Sequence, residues 1–407
     1  MLNEISISLI LVFSVLFYFG IIFYQKKHKI FPFSADILSQ KPLMRLPFFD
    51  YAKGVAVLAI FIYHISYLLN FVSENFPDYF ITWSQYINRL VMFAIPVFFI
   101  SSGALLTIPN FEKKNIWIFY KSKLKKLLIP YLVFSFPAIF LLFFCLTEGK
   151  NNIFISLLVL PFWFIPFLLM LYLLYPGLWY LLAIKKIRPR LFLFFTFVFA
   201  VGYYVLSVYW SGWPFGNSVF GLYIFFFALG IVLKPMIFLN NREWLRKIYL
   251  PFWSILALIF YFGIGLISSK EGLLNCQFIY GPIVFLLLFY YFNWFSRFSF
   301  AKFIQKIGEN SLYFYLIHFY VLAFLINMIK FFNLFYINPV VIFTGLFIFG
   351  FLITYFLVFG IIKFSGNYIK TDFNYSSIIS SMRGLTYSAA RYSKKSIKKL
   401  LFRLLPF

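Results

Sequence analysis

Residues 46–64 read LPFFDYAKGVAVLAIFIYH, an apolar run of helical length that carries Asp50, Lys53 and His64. An ionisable side chain inside a membrane span is costly, so its default interpretation is functional. Lys53 and His64 are eleven positions apart, which places them roughly 20° apart around a helix axis and about 16 Å apart along it. One helix face therefore presents a cation near a membrane surface and an imidazole deeper inside. This arrangement suits a long anionic donor whose charged end stays at the surface while its reactive end reaches inward.

The composition is that of an integral membrane protein. The 407 residues are 63% hydrophobic and 12% charged, with a mean hydropathy of +0.91, whereas a soluble domain carries about a quarter charged residues. The formal net charge of +25 would by itself suit a nucleic-acid partner. The basic residues are instead distributed by membrane side, so we expect membrane lipids as partners and no nucleic acid.

Eleven apolar segments are long enough to cross a bilayer, which predicts an all-α polytopic membrane helix bundle of about eleven transmembrane helices. Of the 36 basic residues, 32 fall in alternate loops, and the positive-inside rule then puts the amino terminus outside and the carboxyl terminus in the cytoplasm. The predicted spans are 5–24, 50–71, 86–108, 127–146, 163–183, 191–210, 218–234, 248–268, 277–295, 311–332 and 339–363.

The pattern divides the chain into three regions. Residues 1–45 hold an additional N-terminal transmembrane helix and a basic cytoplasmic loop, residues 46–363 form a ten-span core, and residues 364–407 form a basic cytoplasmic tail. The tail ends in SKKSIKKLLFRLLPF, which places Ile and Leu on one helical face among lysines. That is typical of an amphipathic helix on an anionic leaflet, although a disordered basic tail fits the sequence equally well.

Two segments suggest a catalytic base and a donor site. His64 suits a general base, because a neutral imidazole accepts a proton near neutral pH; a packing histidine between helices is the alternative. In KSKLKKLLIPY, residues 121–131, Lys123 and Lys126 are three apart and share a helix face. Two adjacent ammonium groups favour a phosphate-bearing ligand between them, although lysines at the end of a span also serve as plain membrane anchors.

The segment IGENSLYFYLIH, residues 307–318, contains further polar candidates. Gly308 and Asn310 indicate a helix start, with Asn310 or Ser311 as its cap or as a ligand-binding group. His318 lies about 10 Å deeper along that helix than Ser311. A packing role explains His318 as well as a chemical one.

Two more segments carry small or aromatic candidates. In PVFFISSGALL, residues 96–106, Ser102 and Gly103 favour close helix packing over a direct chemical role. In LPFWFIPFLLMLYLLYP, residues 160–176, Trp163 is interpreted as an interfacial aromatic, with stacking on a sugar as the alternative.

In this order the five segments resemble the acyltransferase 3 family of bacterial membrane proteins, over roughly residues 46–363. The family's first core helix carries an acidic residue, then Arg or Lys followed by Gly, then His after ten intervening positions. Arginine is usual in the family where this chain has lysine, which keeps the charge but loses the bidentate fork. The matching residues are Asp50, Lys53, Gly54 and His64, then Ser102 and Gly103, then Lys123, Lys126, Pro130 and Tyr131, then Trp163, Phe164 and Pro176, and finally Gly308, Ser311, Tyr315 and His318.

The resemblance implies an O-acyltransferase of the bacterial cytoplasmic membrane. It would move an acyl group, with acetyl expected, from acyl-CoA to a hydroxyl of a cell-surface polysaccharide or lipid-linked sugar. Acyl-CoA is then a co-substrate, and we expect no bound cofactor and no metal. The implied roles are catalytic for His64, donor-binding for Lys53, Lys123 and Lys126, and supporting or acceptor-binding for Asp50, Ser102, Trp163, Asn310, Ser311 and His318.

Other functions remain open at this point. A polytopic glycan transporter or flippase would explain many spans and buried polar groups, but not the alignment of Lys53 with His64. A lipid-linked glycosyltransferase is disfavoured, because the predicted outer loops lack a paired acidic motif. A different membrane acyltransferase family, with its catalytic histidine late in the chain, would make His318 the catalyst instead of His64. Direct attack on the donor and transfer through an acyl-histidine are both compatible with the sequence.

Overall fold

A computed structural model of the chain describes residues 46–72, 76–108, 112–147, 160–209, 220–238, 254–255 and 270–369. These residues form helices and their connections without a strand, which confirms the predicted all-helical class. Short 3-10 turns lie at Leu160–Trp163 and Leu334–Tyr336. The described helices are α1 Pro47–Val72, α2 Asp78–Val91, α3 Ala94–Leu105, α4 Lys113–Thr147, α5 Phe164–Trp179, α6 Pro189–Tyr209, α7 Phe220–Phe238, α8 Lys270–Phe295, α9 Ser299–Glu309, α10 Ser311–Phe331 and α11 Pro339–Ile369.

Five segments of the described chain are long and apolar enough to cross a membrane, and shorter apolar helices accompany them. All of them coincide with predicted spans. The predicted spans 5–24 and 248–268 lie outside the described residues, apart from residues 254–255, as do the N-terminal loop and the tail from residue 370. The five long segments are Pro47–Asn70, Asp78–Leu105, Phe164–Ile184, Ser311–Phe331 and Pro339–Lys363.

The predicted span 86–108 falls within the apolar segment Asp78–Leu105, which is long enough to cross a membrane but is interrupted once. Helix α2 ends at Val91 and α3 begins at Ala94, while Met92 and Phe93 between them keep right-handed helical dihedrals. Pro96 lies in the first turn of α3, where its missing N–H breaks no helical bond, whereas in a continuous helix its ring would clash with the carbonyl of Met92. The interruption at residues 92–93 therefore accommodates Pro96 within the span.

Helix α9 is a further departure, because its residues were predicted to be a cytoplasmic connection. Ala301, Ile304 and Ile307 are buried, while Lys302 and Lys306 are exposed, so one apolar stripe packs inward and the basic face points outward. This helix lies against α1. The sequence of this helix has the amphipathic period of an α-helix, but its eleven residues are too few to be detected as a membrane span.

Helices α1 and α3 form the centre of the described bundle. Helix α1 packs against α2, α3, α8, α9 and α10, and α3 packs against α7 and α8 as well. The chain divides into two compact units, Met1–Thr354 and Tyr355–Phe407, and this boundary falls within α11. Helix α11 ends at Ile369, six residues beyond the predicted end of the last span.

Glycines allow two of these helix pairs to touch through their backbones. A Cβ atom at Gly54 of α1 would overlap the carbonyl oxygen of Ile304 in α9, and one at Gly308 would overlap the carbonyl oxygen of Asp50. Gly103 of α3 and Gly230 of α7 make the same kind of contact with each other's helix. Small residues permit such close approach between membrane helices. The expected packing role of Gly103 is confirmed, and Gly54 and Gly308 share it.

Candidate active site

Two histidines from distant parts of the chain meet inside the bundle. His64 of α1 and His318 of α10 are hydrogen-bonded at 2.7 Å between Nδ1 of His64 and Nε2 of His318. Their rings are nearly parallel, with centroids 5.0 Å apart. The apolar side chains of Phe61 and Phe319 pack beside them. We call this pair the histidine dyad.

A backbone carbonyl fixes the direction of the hydrogen bonds in the histidine dyad. Nδ1 of His318 lies 2.9 Å from the carbonyl oxygen of Phe314, and a carbonyl can only accept, so this nitrogen carries a proton. In neutral His318, Nε2 is then an acceptor, and Nδ1 of His64 donates to it. Neutral His64 therefore carries its lone pair on Nε2. The arrangement gives His64 the tautomer that a general base requires.

The two rings differ in accessibility. His318 is 2% exposed, whereas His64 is only partly buried. His64 is therefore the more exposed ring of the pair, and His318 is enclosed by protein.

Aromatic rings from four elements surround the histidine dyad. Tyr63 contacts His64 at 5.5 Å between ring centroids, and Tyr315 contacts His318 at 5.9 Å. Trp163 stacks on Tyr223 at 5.5 Å, and the Tyr223 phenol is within electrostatic range of the phenols of Tyr63 and Tyr315. Trp163 therefore belongs to the wall of this site, although its packing partner is a protein ring.

Two further residues that the sequence analysis singled out, Ser102 and Lys123, both contact Tyr172 of α5. The Tyr172 side chain is hydrogen-bonded to the side chain of Ser102 in α3, and the ammonium of Lys123 lies 5.7 Å from the centre of the Tyr172 ring. Lys123 also lies 5.9 Å from the Phe119 ring. Ser102 thus does more than permit close packing, because it joins the helix α3 to the ring that holds Lys123.

A family profile described as an acyltransferase domain, that of the acyltransferase 3 family, matches residues 46–359. The chain belongs to this family. It is accordingly a membrane O-acyltransferase of a family whose members act on carbohydrates. A search of curated proteins and a search of solved structures found no match.

The remaining candidate residues of this acyltransferase lie nearer the ends of the helices. Lys53 pairs with Asp50 at 3.9 Å between Nζ and Oδ1, so the ion pair is loose and Lys53 keeps part of its side chain exposed. Lys126 is exposed on α4, and Ser311 is half-buried at the start of α10.

The predicted helix start at residues 308–311 is confirmed, with Asn310 in the N-cap position before Ser311, but the roles of Gly308 and of the Asn310 side chain differ from the prediction. Gly308 lies inside α9 and serves the contact with α1. Asn310 does occupy the position before α10, but its side chain makes no capping bond. Instead Nδ2 of Asn310 donates to the carbonyl oxygen of Lys306 at 3.1 Å. The side chain thus continues the end of α9 and leaves the first N–H groups of α10 uncapped.

Lys234, which the sequence analysis counts among the basic residues of a cytoplasmic loop, is a buried side chain of α7 in the structure. Lys234 is 0% exposed within α7, and its Nζ donates to the carbonyl oxygen of Leu106 at 3.0 Å. The hydroxyl of Tyr175 donates to the same oxygen at 2.8 Å. Both side chains therefore hold the chain where α3 ends. The available signal was that Lys234 directly follows an apolar run and precedes Pro235.

Proposed function

We propose that this acyltransferase moves an acyl group, acetyl in the first instance, from a coenzyme A thioester to a hydroxyl of a cell-surface polysaccharide or lipid-linked sugar, with His64 as general base. The observation that supports this is the directed chain of hydrogen bonds from His64 through His318 to the Phe314 carbonyl. It leaves the lone pair of neutral His64 on Nε2, and the hydrogen bond between α1 and α10 fixes the orientation of the ring. A transporter has no need of a base oriented in this way.

The chemistry follows from that lone pair. The acceptor hydroxyl oxygen attacks the thioester carbonyl carbon while its proton passes to Nε2 of His64, and the carbonyl electron pair moves onto oxygen. The positive charge that develops on His64 is shared with His318, which accepts the hydrogen bond from Nδ1. The tetrahedral intermediate then collapses, the carbon–sulfur bond breaks, and the thiolate takes the proton from His64. The products are the ester and free coenzyme A.

The donor phosphates are proposed to bind at Lys123 and Lys126, with Lys53 as a further cation. The Lys123 ammonium lies against the Tyr172 and Phe119 rings, which hold it in place without neutralising it. By the positive-inside rule these lysines face the cytoplasm, where acyl-CoA is made. The protein is accordingly proposed to work in the bacterial cytoplasmic membrane, with the donor entering from inside and reaching towards the histidine dyad.

The direct test uses the purified full-length chain in lipid nanodiscs with radiolabelled acetyl-CoA. We expect release of free coenzyme A and transfer of label to a polysaccharide or lipid-linked sugar acceptor. Release of coenzyme A should rise with acceptor concentration, because the acceptor hydroxyl is the attacking group. If glycans cross the membrane of proteoliposomes unmodified and no thioester is consumed, the transporter alternative is correct and the proposal is wrong.

Direct attack and transfer through an acyl-histidine are distinguished by a single turnover. We expect no acetylated His64 when the enzyme is mixed with acetyl-CoA in the absence of acceptor and quenched for mass spectrometry. The reason is that the lone pair of His64 acts on the acceptor proton in the proposed mechanism. Detection of acetyl on the His64 ring, chased off by added acceptor, would establish the covalent route instead.

Replacing Lys123 with methionine is expected to raise KM for acetyl-CoA roughly tenfold and to leave kcat nearly unchanged. A charge-assisted hydrogen bond contributes about 1.5–3 kcal/mol, and methionine keeps the apolar stem against Tyr172. Higher salt should raise the KM of the wild type more than that of the variant, because salt screens the Lys123 charge, which the variant lacks. Lys121→Met is the matched control, since Lys121 is exposed on the same helix. An equal effect in both variants would show a diffuse surface charge and no donor site.

A further inference from the structure

The thioester oxygen that gains negative charge needs a hydrogen-bond donor, and the sequence could not choose one. We infer that the hydroxyl of Tyr223 in α7 is this donor. The inference rests on the proposed function, because it concerns the same acyl-transfer step. Tyr223 lies outside all five segments that carried the sequence interpretation, and it is contributed by a helix to which no chemical role was assigned.

The helical fold requires a side-chain donor. In acyl-transfer sites built on loops, backbone N–H groups stabilise the oxyanion, but inside a helix those groups are already bonded to carbonyl oxygens. The exceptions are the first N–H groups of each helix. At the start of α5, the backbone of Phe164 is hydrogen-bonded to the Tyr315 side chain. The uncapped start of α10 lies about 10 Å from His318, because seven residues separate Ser311 from it.

The polar side chains of the sequence interpretation are unsuited to this role. Asn310 and Ser311 share that distance from the histidine dyad, and the Asn310 amide is engaged with the Lys306 carbonyl. Tyr63 is adjacent to His64 in α1, so the two side chains diverge by about 100° around the helix axis. Tyr63 also stacks on Tyr67. None of these constraints applies to Tyr223 of α7, whose phenol is within electrostatic range of the phenols of Tyr63 and Tyr315.

The ring of Tyr223 is held more firmly than a flexible side chain would be. It is 3% exposed and lies nearly parallel to the ring of Phe99 at 4.6 Å and to that of Trp163 at 5.5 Å. Within the described part of the chain, no residue hydrogen-bonds its hydroxyl. A fixed ring with an available hydroxyl is a preorganised donor, which loses no reorganisation energy when charge develops.

Ring contacts connect Tyr223 to the histidine dyad: Tyr223 stacks on Phe99, Phe164 contacts both Phe99 and Tyr315, and Tyr315 contacts His318. The phenol of Tyr223 is within electrostatic range of the phenol of Tyr63, whose ring contacts His64. It is also within range of the phenol of Tyr315, whose ring contacts His318. In the acyl-transfer step, the thioester oxygen that receives the carbonyl electron pair accepts a hydrogen bond from the hydroxyl of Tyr223. The hydrogen bond is lost again when the carbon–sulfur bond breaks and the carbonyl is restored.

The test is Tyr223→Phe, which removes only the hydroxyl and keeps the stacked ring. We expect kcat for acetyl transfer in nanodiscs to fall by about 10²-fold, as for removal of one oxyanion donor, with KM for both substrates changed by less than about threefold. Tyr280→Phe is the matched control. The Tyr280 hydroxyl donates to the carbonyl of Leu90 at 2.6 Å, so its loss should lower the thermal midpoint more than Tyr223→Phe while kcat stays near wild type.

The outcomes separate this inference from the proposed function. If the wild type transfers acetyl and Tyr223→Phe keeps its kcat, the oxyanion role is wrong and the acyltransferase proposal stands. A selective rise in acceptor KM with unchanged kcat also overturns the oxyanion role, because the hydroxyl would then bind sugar. If the wild type does not consume acetyl-CoA, the proposed function fails and this inference fails with it.

Discussion

Replacing His64 with alanine is expected to lower kcat for acetyl transfer by about 10²–10⁴-fold, the range that a positioned general base contributes. In the proposed mechanism Nε2 of His64 takes the proton of the acceptor hydroxyl, and alanine leaves that hydroxyl without a proton acceptor. Binding of acetyl-CoA should be nearly unchanged, because the donor phosphates are held at the lysines of α4. Initial rates of coenzyme A release and equilibrium binding of labelled donor measure the two effects separately.

Tyr67→Phe is the matched control for that experiment. Tyr67 lies on the same helix, less than one turn further along, and is 38% exposed, so it should keep the wild-type rate. A His64→Ala variant that folds, binds donor and transfers acetyl at the wild-type rate would remove His64 from the mechanism. Loss of donor binding together with rate would point to a structural role for the ring.

His318 is expected to respond differently, because it acts through His64. In His318→Gln the side-chain oxygen can still accept the hydrogen bond from Nδ1 of His64, so we expect a smaller loss than in His318→Leu, where that acceptor is absent. The order of rates should be wild type, His318→Gln, His318→Leu and His64→Ala. If instead His318→Ala is inactive and His64→Ala is active, the alternative in which His318 is the catalyst is correct.

Most of the fold could be predicted because the length and apolarity of a segment are enough to identify a membrane helix. The structure differs from the prediction where one residue or a short segment determines the boundary of a helix. Pro96 accompanies an interruption of one predicted span between α2 and α3, and its effect depends on where the second helix starts. Helix α9 is amphipathic and only eleven residues long, so it was assigned to a connection although it packs against α1. The order of the helices could be predicted from the sequence, whereas the contacts between them could not.

The site could be predicted in part, since an ionisable group in an apolar helix is conspicuous. His64 and His318 were singled out in this way, and Lys123 by its spacing from Lys126. Their partners were not, because the bond between the histidines joins residues 254 positions apart and nothing local encodes it. Neither Tyr172 nor Tyr223 was assigned a chemical role among the 30 tyrosines of the chain, because aromatic residues in a membrane protein are usually packing or interfacial groups.

The contact between α1 and α9 gives the second large expected effect, on folding. Gly54→Ala and Gly308→Ala are each expected to destabilise the protein by about 3 kcal/mol, the upper end for overpacking a core, because the new methyl group overlaps a backbone carbonyl and no side chain can move aside. The free energy of unfolding of an ordinary protein is only about 5–15 kcal/mol, so each substitution removes a large part of it. We expect strongly reduced yields of monodisperse protein and a lower thermal midpoint in detergent.

Gly202→Ala is the control for this comparison. Gly202 lies in α6, and a Cβ atom there would meet nothing within 4 Å. Because alanine favours a helix by about 1 kcal/mol over glycine, this variant should be as stable as the wild type or slightly more so. Wild-type stability in Gly308→Ala would mean that α9 does not lie against α1 as closely as the structure has it. The position of Asp50, whose carbonyl oxygen lies against Gly308 of α9, and of its ion-pair partner Lys53 depends on that contact.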